Sequence, residues 1–228
     1  MEVLTLSGAG LAVALAMGVL IVVFGGAAWW LFILGMLLFL VLSAVVTRTG
    51  NSYKRKKGFG QDPRGVPNVV ANGAVPLALA GLYRLAYAFG AGRWEMLFLL
   101  GFIASVAAIT ADKFASEIGV LDGVPVSLLG WKEVRKGVSG GVTWVGLVVS
   151  AAAALMIGIL LVPLSVPYGL SINVYIAVGV VALCGFLGGV VDSALGYYEE
   201  NGIGNKFTSN FACSLAGALF GILLVSLL

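Results

Sequence analysis

Seven long apolar runs, separated by short polar segments, follow one another along the chain. A transmembrane helix needs about 20 consecutive, mainly apolar residues, and each run is long enough. The predicted spans are 4–24, 27–47, 66–89, 94–118, 139–164, 172–196 and 207–228. The pattern predicts an all-α, polytopic membrane helix bundle that forms one domain over residues 1–228. A six-span arrangement, in which the first or last run lies differently, stays open.

The composition supports a membrane protein and narrows its chemistry. Hydrophobic residues make up 61% of the chain and charged residues 10%, and the mean hydropathy is +1.09, whereas soluble domains carry about 25% charge. The absence of histidine excludes His-based acid–base chemistry and most zinc or haem sites. Cys184 and Cys213 lie inside apolar runs, so we expect them to be core residues rather than a disulfide. No basic segment precedes the first run, so we expect a span there and not a cleaved signal.

The basic residues predict the orientation of the bundle. Segments 48–64, 119–138 and 197–206, together with Lys113, hold eleven of the thirteen lysines and arginines. With seven spans these segments share one side, and only Arg84 and Arg93 fall on the other. Because basic loops stay in the cytoplasm, we expect a cytoplasmic N-terminus and an outside C-terminus.

One charged motif, Ala-Asp-Lys-Phe-Ala-Ser-Glu-Ile-Gly at 111–119, ends the fourth apolar run. An acid this close to a span is costly and marks a candidate functional site. Lys113 and Glu117 can pair at a spacing of four on a helix, and an ordinary ion pair is the simpler alternative. The functional interpretation is that Asp112 and Glu117 hold Mg²⁺, directly or through water. On an ideal helix these two side chains diverge by about 140°, so we favour Asp112 with Asp192 as the ligand pair.

Asp192 lies in a stripe of small residues on the sixth run. Small residues at this spacing let helix backbones approach closely. We therefore expect this span to pack inside the bundle, with Asp192 facing protein or a water-filled cavity. The stripe consists of Gly185, Gly188, Gly189, Asp192, Ser193 and Gly196. Asp112, Glu117 and Asp192 form the predicted catalytic and metal-binding set.

A glycine-containing segment, Lys-Gly-Val-Ser-Gly-Gly-Val-Thr at 136–143, precedes the fifth apolar run. Glycines beside a helix N-terminus leave backbone N–H groups for an anion, which the helix dipole also favours. Plain helix capping is the simpler alternative, since the Walker A pattern is absent. The predicted substrate-binding residues are Arg64, Asn68, Asn72, Lys113, Ser116, Lys132, Arg135, Lys136, Ser139, Gly140, Gly141, Ser193, Asn205 and Asn210.

Two other polar groups have simpler interpretations. The asparagines in the predicted binding set can simply form hydrogen bonds between helices. The basic run 54–57 predicts a topology signal or a contact with anionic lipid.

As an ordered set, segments 71–73, 111–119, 137–143 and 188–196 resemble a membrane family that includes transmembrane protein 19 and the phytyl-phosphate kinase of vitamin E synthesis. These segments lie within a motif-bearing core of 64–217. Lys113 stands where that family usually has threonine. The resemblance implies a kinase that transfers a phosphoryl group from a nucleoside triphosphate, with CTP the expected donor, to an isoprenoid monophosphate. Phytyl or geranylgeranyl phosphate is the expected type of acceptor.

The residues suit such a reaction on chemical grounds. A phosphate oxygen is already ionised at neutral pH, so a chain without histidine needs no strong base, and positioning with charge neutralisation does most of the work. The first alternative is a transporter of a phosphorylated lipid or small anion, whose site usually lies near mid-membrane. The others are a transferase with a CDP-alcohol substrate, which needs a denser array of aspartates, and a structural membrane protein. We expect membrane lipid as a partner and no nucleic acid.

Overall fold

The computed structural model describes residues 6–59, 64–164 and 173–228. These residues form eight α-helices, as expected for a polytopic helical membrane bundle. The helices are α1 (Gly8–Gly25), α2 (Trp29–Arg48), α3 (Asn51–Lys56), α4 (Val66–Ala88), α5 (Gly92–Gly119), α6 (Trp144–Gly158), α7 (Val174–Glu200) and α8 (Lys206–Ser226). Two 3₁₀ helices cover Gly26–Ala28 and Ile159–Leu164, and strand β1 (Val126–Ser127) pairs antiparallel with β2 (Gly141–Val142).

The first apolar segment, Gly8–Arg48, crosses the membrane twice. Six segments of the described chain are long and apolar enough to span, and this one has 41 residues. At the start of α1, the Ser7 N–H donates to the Arg64 carbonyl at 3.0 Å. At the end of α2, Thr47 Oγ1 donates to Glu117 at 3.1 Å, and Arg64 lies 3.9 Å from the same carboxylate. The start of α1 and the end of α2 therefore meet, so the two helices form a hairpin and the bundle has seven crossings.

Helix α5 is the centre of the bundle and contacts α2, α4, α6, α7 and α8. Every residue from Leu99 to Ala111 is buried. The Phe32 ring of α2 lies 4.6 Å from Phe102 of α5 and 5.1 Å from Tyr83 of α4, measured between ring centroids. Because α5 is enclosed by protein over this stretch, the charged residues that follow at its C-terminal end lie close to several neighbouring elements.

Small residues bring α7 against α5 and α8. A Cβ atom on Gly185 would lie 2.5 Å from the Ala107 Cβ, and one on Gly188 would lie 2.6 Å from the Ala108 Cβ. The prediction that the small-residue stripe packs inside the bundle is therefore confirmed. Cys184 and Cys213 are buried and unbridged, as expected.

The fifth and sixth spans differ from their predicted bounds. Helix α6 begins at Trp144 and not at Ser139, because residues 139–142 form a turn and β2 before the Thr143 side chain caps the helix. Helix α7 continues to Glu200, beyond the predicted end at Gly196. The predicted start of the first span at Leu4, the start of the sixth at Ile172 and the link 165–171 lie outside the described residues.

Candidate functional site

Charged and polar residues converge at one end of the bundle, around a cavity of about 720 Å³. The C-terminal ends of α5 and α7, the N-terminal ends of α6 and α8, and α3 all contribute to its wall. Ten predicted site residues line it: Asp112, Ser116, Glu117, Arg135, Lys136, Ser139, Gly140, Gly141, Asp192 and Ser193. The predicted convergence of separate spans at one face is confirmed for these residues.

Two carboxylates from different helices face each other in the cavity. The carboxyl groups of Asp112 on α5 and Asp192 on α7 lie within hydrogen-bond reach. Asp192 is 4% exposed, and its Oδ1 has no hydrogen-bond partner among the described residues. Its Oδ2 lies 3.5 Å from Lys206 Nζ. Asp112 is half-buried. Two neighbouring carboxylates that are largely shielded from water repel each other unless a cation or a proton joins them, so this pair is suited to binding a cation.

Glu117 forms a separate, buried cluster of charges. Its carboxylate pairs with Lys113, lies 2.6 Å from Lys54 Nζ and 3.9 Å from Arg64, and accepts a hydrogen bond from Thr47. The Glu117 side chain is 3% exposed, so the three basic side chains share one buried carboxylate. Burial lowers the pKa of the Arg64 guanidinium below its ordinary value, and the negative charges of Glu117 and Asp112 offset only part of this effect. The predicted Lys113–Glu117 pair is confirmed.

The predicted metal site of three carboxylates is not formed in this arrangement. Within the described ranges, no three acids or cysteines lie close enough to hold one ion. Glu117 faces its lysines and arginine because a spacing of five turns it away from Asp112 on a helix. The structure therefore separates a carboxylate pair, Asp112 with Asp192, from a cluster of cations around Glu117.

The segment 139–141 lies against the C-terminal end of α7. The Ser139 N–H donates to Glu200 Oε1 at 2.8 Å, and Ser139 Oγ donates to Glu199 Oε2 at 2.5 Å. Gly140 has φ +77°, and a Cβ there would lie 2.6 Å from the Ser193 carbonyl oxygen. The glycines precede the N-terminus of α6, as expected, but Val142 and the capping Thr143 lie between Gly141 and the first helical residue, Trp144. The segment donates hydrogen bonds to anions through Ser139, and here these anions are the carboxylates of Glu199 and Glu200.

Seven predicted binding residues are not among the residues that line the cavity: Arg64, Asn68, Asn72, Lys113, Lys132, Asn205 and Asn210. Asn72 Nδ2 donates to the Asn68 carbonyl at 2.8 Å within α4. Asn205 caps α8 by accepting from the N–H groups of Phe207 and Thr208. Lys132 is exposed, and Asn210 is buried in α8. Arg64 and Lys113 reach the site through Glu117.

Four charged residues at the cavity were not among the predicted site residues: Lys54, Glu199, Glu200 and Lys206. Lys54 is 3% exposed and its ammonium pairs with Glu117, so this residue of the basic run 54–57 does not make the lipid contact that the sequence allowed. Lys206 Nζ lies 3.6 Å from Glu199 Oε2 as well as near Asp192. Continuing the α7 helix past Gly196 would have placed Glu199 on the same face as Asp192, at a spacing of seven.

The cavity also extends into the spanning part of the bundle. Its wall includes Leu147 and Ser150 in the first two turns of α6, and Gly189 and Val190 of α7. Ser150 lies seven residues into α6, a rise of about 10 Å at 1.5 Å per residue. The cavity thus joins a charged end to a deeper wall with aliphatic and small residues.

Comparison with known proteins gives a family-level match. A family model described as "Integral membrane protein DUF92" matches residues 1–224. An uncharacterized membrane protein of Methanocaldococcus jannaschii is 30% identical over 216 residues, which cover 91% of this chain and 81% of that protein. An uncharacterized membrane protein of Synechocystis is 28% identical over 186 residues, covering 80% and 69%. Protein PGR of Arabidopsis thaliana is 33% identical over 102 residues, covering 42% and 35%. No solved structure matches the chain.

Proposed function

The chain belongs to the DUF92 family of integral membrane proteins, and from this premise we propose that it is a membrane-embedded phosphotransferase. Its donor is a nucleoside triphosphate, with CTP expected, and its acceptor is an isoprenoid monophosphate that becomes the diphosphate. The observation that carries the proposal is the pair formed by the half-buried Asp112 and the buried Asp192, which lies in a cavity also lined by several basic side chains. The acceptor and the donor rest on the motif resemblance of segments 111–119, 137–143 and 188–196.

Asp112 and Asp192 are the residues that would hold Mg²⁺. The fit rests on the closeness of their carboxyl groups and on the buried Asp192 Oδ1, which lacks a hydrogen-bond partner among the described residues. Protein Mg²⁺ sites commonly use one or two carboxylates, with water and substrate phosphates as the other ligands. When bound, the ion neutralises negative charge on the triphosphate.

The basic residues of the cavity provide the remaining charge neutralisation. Glu117 holds Lys54, Lys113 and Arg64 in one cluster, which keeps their charges at fixed positions beside the cavity. Arg135 and Lys136 add charge to the wall formed by the loop before β2. Cations held in place in this way stabilise the charge that develops on transferring phosphoryl groups.

The transfer itself requires no proton abstraction. A phosphate oxygen of the acceptor attacks the terminal phosphorus of the donor, and the bond from that phosphorus to the leaving nucleoside diphosphate breaks. The electron pair of the broken bond remains on the leaving oxygen, beside the cations of the cavity. Positioning and charge neutralisation account for most of the catalysis in such reactions, which agrees with the absence of histidine.

The shape of the cavity favours an amphiphilic acceptor. A phosphate head group fits the charged end, and an isoprenoid chain fits the deeper wall formed by Leu147 and Val190. Transporter sites usually lie near mid-membrane, whereas the charges here lie at one end of the bundle. In the orientation predicted from the basic residues, this end faces the cytoplasm, where nucleoside triphosphates are present.

The test is a transfer assay on detergent-purified protein. Phytyl or geranylgeranyl phosphate is incubated with Mg²⁺ and, in turn, with each nucleoside triphosphate labelled on its terminal phosphate. We expect labelled isoprenoid diphosphate, with CTP the best donor. The absence of product with every donor, together with flux of a phosphorylated lipid in liposomes, would replace the kinase by a transporter.

A further inference from the structure

Two carboxylates on one face of α7 each leave one oxygen atom unpaired. Asp192 Oδ1 and Glu199 Oε1 are buried and have no hydrogen-bond partner in the described ranges. The two side chains are 5% and 9% exposed, and both line the cavity. An unpaired buried polar atom costs about 1–3 kcal/mol, and more when it is charged. Two such oxygens, on residues that line the same cavity, indicate a position for a cationic ligand.

The ammonium of Lys206 lies between these carboxylates. Its Nζ is 3.5 Å from Asp192 Oδ2 and 3.6 Å from Glu199 Oε2. Both distances exceed the roughly 2.7–2.9 Å of a strong charge-assisted hydrogen bond. The Lys206 side chain is 59% exposed, and a lysine ammonium on its flexible stem is a movable point charge. Lys206 therefore balances the two carboxylates without satisfying their remaining oxygens.

We propose that Asp192 and Glu199 form a second divalent-cation position, and that Lys206 occupies it when the cation is not bound. Carboxylate oxygens suit a hard ion such as Mg²⁺ or Mn²⁺. Asp192 is then shared between this position and the one it forms with Asp112. Each position has two carboxylates, and Asp192 belongs to both.

This inference deepens the proposed function and rests on it for its catalytic meaning: Asp192 and Glu199 would hold a second ion, which would supply further charge neutralisation for phosphoryl transfer. The proposal also implies that the Lys206 ammonium has a second location in the cavity, away from Asp192 and Glu199. Once displaced from Asp192 and Glu199, its ammonium can pair with a substrate phosphate in the same cavity. Glu199 thereby replaces Glu117 as the third acid of the site.

Glu200 provides a matched control. It follows Glu199 directly, is exposed, and accepts a hydrogen bond from the Ser139 N–H through Oε1. Glu199 accepts from the Ser139 hydroxyl and also lies beside Lys206. The two acids thus share a helix turn and a contact with Ser139, but only Glu199 belongs to the proposed cation position.

The test is a titration of the purified full chain with Mn²⁺, in which free Mn²⁺ is followed by electron paramagnetic resonance, with neither nucleotide nor isoprenoid phosphate present. We expect two Mn²⁺ ions per chain for wild type and for Glu200→Gln, and one for Glu199→Gln. Lys206→Met should tighten the weaker site several-fold because the competing ammonium is gone. Two sites of unchanged affinity in Glu199→Gln, or a single site in wild type, would overturn the proposal.

Two further readouts keep the outcome clear. If Glu199→Gln is not recovered as folded protein, Lys206→Met decides alone, and unchanged Mn²⁺ affinity in that variant overturns the proposal. The titration contains no substrate, so its result is independent of the transfer assay. Two bound Mn²⁺ ions in the titration, with no diphosphate formed in the transfer assay, would refute the kinase and leave the cation position standing.

Discussion

Gly188 of α7 packs directly on Ala108 of α5, one helical turn beneath Asp192 and Asp112. A Cβ atom on Gly188 would lie 2.6 Å from the Ala108 Cβ and 2.8 Å from the Cys213 carbonyl oxygen. Since about four residues make one turn, this contact sets the separation of the helices at the level of the carboxylate pair. The geometry of the two acids therefore depends on small residues that carry no chemistry themselves.

Gly188→Ala is expected to disturb the site through packing alone. The added methyl group overlaps Ala108 and Cys213, and overpacking of this kind typically costs about 1–3 kcal/mol. We expect a lower thermal unfolding temperature in detergent and weaker Mn²⁺ binding. Gly179→Ala, on the same helix with no neighbouring atom within 4 Å of the added Cβ, should match wild type in both measurements. Equal behaviour of the two variants would contradict the packing argument.

Asp112→Asn and Asp192→Asn should each abolish phosphoryl transfer while the protein stays folded. Each change removes a ligand charge from the pair and also relieves repulsion between the half-buried Asp112 and the buried Asp192. We expect no labelled diphosphate, with an unfolding temperature equal to or above that of wild type. Chelation of divalent cations with EDTA should stop transfer by the wild-type protein and leave its fold intact. Full activity in both variants would rule out the assignment.

Glu117→Gln should destabilise the protein. The change leaves Lys54, Lys113 and Arg64 clustered without their shared anion, and removing one partner of a buried ion pair costs about 3–5 kcal/mol. The double variant Glu117→Gln/Lys54→Met should recover part of this loss, because one uncompensated cation is gone. Thermal unfolding of the two variants measures the effect.

Lys57→Met is the control for this cluster, because Lys57 is an exposed neighbour in the same basic run. It should leave the unfolding temperature unchanged. A loss of stability in Lys57→Met similar to that in Glu117→Gln would show that net charge, and not the buried cluster, is responsible.

The succession of apolar helices and the meeting of several site residues at one end of the bundle could be predicted from the sequence, because both follow from local spacing. Apolar runs of spanning length impose alternate crossings, which bring Asp112, Ser139 and Asp192 to one end. The small-residue spacing on α7 predicts the burial of Asp192, which is 4% exposed.

The residues that sequence reasoning missed depend on tertiary contacts. Glu199 appeared to lie in a polar loop, because its burial depends on Ser139, which lies sixty residues earlier in the chain. Lys54 is one of four consecutive basic residues, and no local pattern distinguishes it. It turns inward because the chain reverses at Gly50, with φ +65°, and places α3 beside Glu117.

Leu147→Trp should discriminate between acceptors by chain length. Leu147 lines the deeper part of the cavity, whereas its neighbour Val148 is 53% exposed on the outside of the bundle. An indole at Leu147 fills space proposed for the isoprenoid chain, so we expect the KM for geranylgeranyl phosphate to rise. A short acceptor such as dimethylallyl phosphate leaves that space empty, so its KM should change little, and kcat for both acceptors should be nearly constant. Val148→Trp should leave both KM values as in wild type. An equal rise for the long and the short acceptor would place the isoprenoid chain elsewhere.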